Sequence, residues 1–82
     1  MKFFLHVDEQ KGFIHDLEGI DFPSVEKAIV ETFLGIRDIA ADCLRSGEEL
    51  TLQAIAIADE SGFVFATITS HDALQGILPA FS

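Results

Sequence analysis

Residues 24–45 read SVEKAIVETFLGIRDIAADCLR, and this stretch decides how the rest of the 82-residue chain is understood. Placed at 100° intervals, Val25, Ala28, Ile29, Thr32, Phe33, Ile36, Ile39, Ala40 and Cys43 fall on one broad apolar face. Lys27, Glu31, Asp38, Asp42 and Arg45 fall opposite. The pattern predicts one amphipathic helix of roughly 21 residues, about 32 Å long at 1.5 Å per residue. Ser24 suits the N-cap, since its hydroxyl can accept from an amide of the first turn, and Glu26 suits the positive end of the helix dipole. Pro23 fixes the entry, Arg45 suits the negative end, and Gly47 provides a left-handed stop. Gly35 sits mid-span at a cost of about 1 kcal/mol relative to alanine. It reads either as a tolerated residue or as a place where another backbone comes close.

A chain of this length allows one domain, with a core over residues 2–70 and a tail over 71–82. It is 49% hydrophobic, whereas a domain this small buries only about 60% of its surface alone. Part of the apolar excess is therefore expected to be covered by a partner, most simply a second copy. With 14 acidic and 5 basic residues the net charge is −9, the wrong sign for nucleic-acid phosphates or anionic membranes. A basic protein partner is compatible with that charge. No apolar run approaches the ~18 residues that span a bilayer. Asp8 and Glu9 follow the short N-terminal apolar run, so it reads as a strand and not as a signal peptide. The one cysteine, Cys43, fits a reducing cytoplasmic setting and sits on the helix's core face as a small hydrophobe.

The flanking segments read as strands. In KFFLHV (2–7), Phe3, Leu5 and Val7 alternate with Lys2, Phe4 and His6. DEQKG follows as a turn, with Gly12 free for positive φ, and GFIHD (12–16) pairs back as a hairpin. LEGIDFP (17–23) is a connection to the helix. TLQAIAIA (51–58) is near-continuously apolar, which suits a central strand. DESG (59–62) is a four-residue turn with glycine last, and FVFATITS (63–70) is the return strand. In the tail, Asp72 is placed to cap a short turn through Leu74, and Ile77, Leu78 and Phe81 are apolar enough to dock. The expected fold is α+β, ββαββ: an antiparallel or mixed four-stranded sheet with one long helix packed across it.

That arrangement leaves Phe4 and His6 on the uncovered sheet face. It also leaves Val30, Leu34 and Ala41 off the helix's core face, at about 140–180° in the same projection. With Gly35 nearby, these residues are the expected homodimer contact. Pairing of the first two strands brings His6 towards His15, with Asp8 and Asp16 in reach. Metal binding needs two or three converging ligands, and no short ligand spacing occurs, so solvated hairpin histidines are the expectation and no metal or cofactor is assigned. The carboxylates Asp8, Glu9, Glu48, Glu49, Asp59 and Glu60 fall in turns, where solvated acids normally lie. A cysteine facing the core of an acidic protein lacks the electropositive setting of a reactive thiolate. No phosphate-binding or nucleophile-elbow motif occurs, and the chain is expected not to be an enzyme.

The first strand KFFLHV, the run DLEGIDFPS, the helix from VEKAI to AADCLRSG and the hairpin AIADESGFVFATI resemble a family of small, uncharacterised proteobacterial domains of rhizobial type. That family shows D-x-E-G-x-x-x-P-[DS] before the helix and D-E-x-G-x-V between the last strands. The matching residues are Asp16, Glu18, Gly19, Pro23, Ser24, Asp59, Glu60, Gly62 and Val64, and the likeness covers about residues 2–70. It implies a fold and no activity. HDLEGIDFPSVEKAIVETFLGI is also similar in layout to HicB-type antitoxins, without their extended middle strand or C-terminal DNA-binding part. This second likeness implies an alternative role, neutralising a basic ribonuclease-type partner.

Overall fold

The computed structural model describes residues 1–78. Its elements run β1 (Lys2–Glu9), β2 (Gly12–Ile14), β3 (Ile20–Asp21), α1 (Val25–Ser46), β4 (Leu52–Ala58), β5 (Val64–Thr69) and α2 (Ser70–Leu74). The sheet is antiparallel in order β2-β1-β4-β5, with β3 beside the start of β1, and α1 lies across one face. The apolar strand β4 is central, between β1 and β5, as its composition requires.

The ends of α1 form by local chemistry. The Ser24 hydroxyl accepts from the Lys27 amide at 3.1 Å, and the Gly47 cap, at φ 74°, turns the Glu48 amide back to the Cys43 carbonyl. Between helix and sheet, Phe3, Ile36, Ile57 and Ile68 are fully buried, one each from β1, α1, β4 and β5. Each such side chain contributes about 1.5–3 kcal/mol by leaving water. Phe65 meets Phe3 edge-on at 5.7 Å. Ala73 of α2 is also fully buried, and its carbonyl accepts from the Arg37 guanidinium at 2.7 Å.

The structure revises several local expectations. Ile39 is 43% exposed, and no α1 residue after Ile36 is buried. At roughly 33 Å, a 22-residue helix outruns a sheet whose strands are spaced by about 4.8 Å, so its last turns project past the core. Asp8 and Glu9 belong to β1, which leaves Gln10 and Lys11 as the turn, and Gly12 opens β2 without positive φ. The connection 17–23 contains β3, where Ile20 pairs with Phe3. Thr69, and not Asp72, caps α2: its hydroxyl accepts from the Asp72 amide. Among the described residues, nothing beyond the surrounding turns of α1 lies within 4 Å of a Cβ built at Gly35, so no other backbone among them approaches there. Ile77 and Leu78 are about half exposed, and Phe81 lies outside the described residues.

Thr32 is buried in the core with its hydroxyl unpaired among the described residues. Thr32→Val is therefore expected to stabilise the fold by about 1 kcal/mol in urea unfolding. Ile36→Ala is expected to cost about 2–5 kcal/mol in the same assay, whereas Ile39→Ala costs under about 1 kcal/mol. Equal costs at positions 36 and 39 would contradict this placement of the helix.

Candidate functional site

The sheet face turned away from α1 carries both hairpin histidines. Strand alternation puts Phe4, His6 and Asp8 of β1 on this face, opposite Ala58, Ala56 and Ala54 of β4. The β5 partners of Ala56 and Ala54 are Thr67 and Thr69. Small residues on the central strand thus make a trough beside an aromatic ridge. In that ridge Phe4 and His6 stack at 14° with ring centroids 6.5 Å apart. His6 meets His15 at 5.0 Å, and His15 meets Phe13 edge-on at 4.7 Å.

The ridge is held by Asp16. The outer edge of β1 is paired with β2 at Val7–Glu9 and with β3 at Lys2–Phe3, and the Leu5 amide falls in the gap. The Asp16 Oδ2 accepts that amide at 3.1 Å, in place of the missing strand's carbonyl. Its Oδ1 accepts the Glu18 and Gly19 amides at 3.1 and 3.0 Å, an Asx-type turn. Gly19 holds φ 77°, and a Cβ there would stand 3.1 Å from the Phe3 carbonyl and under 3 Å from the Lys2 side chain. The Asp16 amide donates to His6 Nδ1 at 3.1 Å, a bond that requires the neutral ring with its proton on Nε2. The Gly19 amide foremost, then those of Leu5 and Glu18, hold the Asp16 carboxyl below its ordinary 3.8.

A second aspartate faces the ridge across an open cleft of about 290 Å³. The cleft lies between residues 15–17 and the 59–62 turn, with Phe4 and His6 as its wall and Asp16, Asp59 and Glu60 as its acids. Asp59 Oδ1 accepts from the Ser61 hydroxyl at 2.6 Å and from the Ser61 and Phe63 amides. Those bonds, the hydroxyl first, hold its carboxyl below 3.8 as well. Carboxyls in this state are ionised at neutral pH and unsuited to donate a proton. They supply fixed negative charge to the cleft.

The pairing of β1 with β2 brings His6, His15 and Asp16 together as the sequence suggested, while Asp8 stands opposite Phe13 and Ala54. Among the described residues, no group of three histidine, cysteine or acidic side chains is arranged to hold a metal ion. On α1, Val30 and Leu34 are 38% and 46% exposed, while Gly35 and Ala41 are half-buried. Ala41 lines a groove between α1 and α2 with Arg37, Ala40, Leu44 and Leu74. Leu44 and Leu74 carry no sequence signal for this groove, because periodicity alone does not place α2 beside α1. The bracing role of Asp16 also went unassigned. Its signal is an aspartate followed at two and three residues by Glu18 and Gly19.

Asp16 has a testable pH signature. Its folded pKa lies below its unfolded one, so the unfolded chain binds the proton more readily. The stabilisation it brings is complete above the unfolded value, near 3.8, and is lost as pH falls through the folded value. Asp16→Asn is expected to cost about 1–3 kcal/mol at pH 7 and to flatten the stability profile below about pH 4. Denaturation at a series of pH values gives both; a variant with the wild-type slope and stability would contradict the bracing role.

The described residues contain no helix long and apolar enough to cross a membrane. No curated protein and no solved structure matches the chain. A family model described as a domain of unknown function, DUF6894, matches residues 2–71, from the first residue of β1 into α2. The chain belongs to that family.

Proposed function

We propose that this protein works by association with other protein chains and not by chemistry of its own, and that its first partner is a second copy of itself. The observation that supports this reading is the outward face of α1. Val30 and Leu34 stand opposite the core face, and Leu44 is 84% exposed beyond them, with Ala41 and Leu74 in the adjoining groove. The open space at Gly35 leaves room on the helix flank for another helix to come close. Covering such a strip removes apolar surface from water symmetrically, which a two-fold dimer does with one set of residues. The single thiol suits a reducing cytoplasm.

The clustering of ionised Asp16 and Asp59 with Glu60 favours a second reading. In it, the acidic surface engages a basic protein, as an antitoxin-like neutraliser of a ribonuclease-type partner does. Net charge of −9 favours such a partner over nucleic acid or anionic lipid.

Sedimentation equilibrium at micromolar concentration separates the possibilities. The wild-type chain is expected at twice its monomer mass, and Leu34→Asp at the monomer mass with an unchanged circular dichroism spectrum. A monomeric wild type, or a Leu34→Asp variant that stays dimeric, removes the helix-face dimer.

A further inference from the structure

β5 is the last strand of the sheet: β4 pairs with one side of it and, among the described residues, no strand pairs with the other. The direction of its backbone groups follows from the ladder. The Leu5 amide points away from β4, towards Asp16, so the even-numbered residues of β1 bond to β4. Carried across, Ile55 and Ile57 bond to Ile68 and Ala66, which turns both backbone groups of Thr67 and the amide of Thr69 to the open edge, the Thr69 carbonyl being taken by the first turn of α2. Edge strands are usually blunted by charge, proline or cover. The opposite edge is treated in this way, by short β2 and β3 and by the Asp16 carboxylate between them. Val64–Thr69, in contrast, contains no charged residue and no proline. Its charges lie just beyond its ends, at Asp59 and Glu60 in the preceding turn and at Asp72 in α2.

We propose that the β5 edge accepts an extended segment of a partner protein as an added strand, about six residues long, with a β-prone uncharged middle and basic residues at its ends. This rests on the basic-partner reading above. Six residues span about 20 Å, which sets the spacing of the two basic ends. Charge decides against a second copy as the occupant. Antiparallel self-pairing lays the Asp59–Glu60 end of one molecule beside Asp72 of the other, and parallel pairing lays Glu60 beside Glu60. Either register sets like charges side by side at the ends of the strand, a repulsion that the outer face of α1 does not impose. A basic-ended strand replaces both repulsions with attractions while main-chain bonds supply the register.

The experiment is an amide chemical-shift titration of the full chain with the acetylated peptide Lys-Lys-Val-Thr-Val-Thr-Lys-Lys. Saturable shifts are expected at Thr67 and Thr69, weakening as salt is added, and the same peptide with glutamate for lysine is expected to give none. Thr67→Pro removes an edge donor without touching the bonds to β4 and is expected to weaken binding about tenfold. Glu60→Gln leaves every backbone bond in place, is expected to weaken binding about threefold, and keeps the test decisive if the proline variant misfolds. Saturable shifts centred on Phe4, His6 and His15, or on Leu34, overturn the edge proposal and leave the basic-partner reading standing. Absence of any saturable shift with the lysine peptide overturns both. Edge shifts that appear with protein concentration alone overturn the choice of occupant.

Discussion

One long helix has to seal most of one face of this sheet, and the rest of the structure answers to that demand. Four fully buried side chains, Phe3, Ile36, Ile57 and Ile68, meet where the strands and the helix face one another. One helix can pack against only part of a five-stranded sheet, and the strand at one side needs further cover. α2 supplies it, with Ala73 in the core and its carbonyl tied to Arg37. The same guanidinium lies 5.6 Å from the centroid of the Phe33 ring on its own helix, a cation–π contact that steadies the side chain while its hydrogen bond ties α1 to α2. The molecule is 17 Å through its thinnest dimension, as two layers require.

Features set by local forces are legible in the sequence. The Ser24 cap, the Gly47 stop and the apolar period of α1 each act within a turn or two of chain, and the helix is found within a residue of its expected ends. β4 declares itself central through its near-continuous apolarity, interrupted only at Gln53. The misreadings came from tertiary context. Ile39 has the correct helical phase and is exposed because the sheet ends before the helix does. β3 exists because β1 has an open stretch of edge beside Ile20, a fact that no property of Ile20 and Asp21 announces. The proximity of His6 and His15 followed from the hairpin alone. The role of Asp16 depends on the orphaned Leu5 amide, which becomes visible only once the register is known.

Negative charge has a structural logic here as well as a bulk one. Asp16 and Asp59 each gather several backbone donors at a turn, so each carboxylate organises a loop and remains ionised while doing so. The two loops border the same cleft. Fold stability and surface electrostatics are therefore coupled at these positions, and neutralising either aspartate alters both. Exposed apolar side chains stand beside this charge as well as on the outer helix face: Leu17, 87% exposed, lines the same cleft as Asp16, Asp59 and Glu60.

The pairing of β1 with β4 has a consequence for how the molecule is made. Leu5 faces Ile57, about fifty positions later in the chain, so the central seam of the sheet cannot close until β4 has left the ribosome. The β1–β2 hairpin, with three paired positions, is too small to persist alone in water. Synthesis thus passes through a stage in which residues 25–46 have been made and their apolar side chains have no sheet to cover. At that stage Phe3, Leu5 and Val7 are open to the solvent and to other nascent chains, and the speed at which β4 arrives governs the exposure to misassembly.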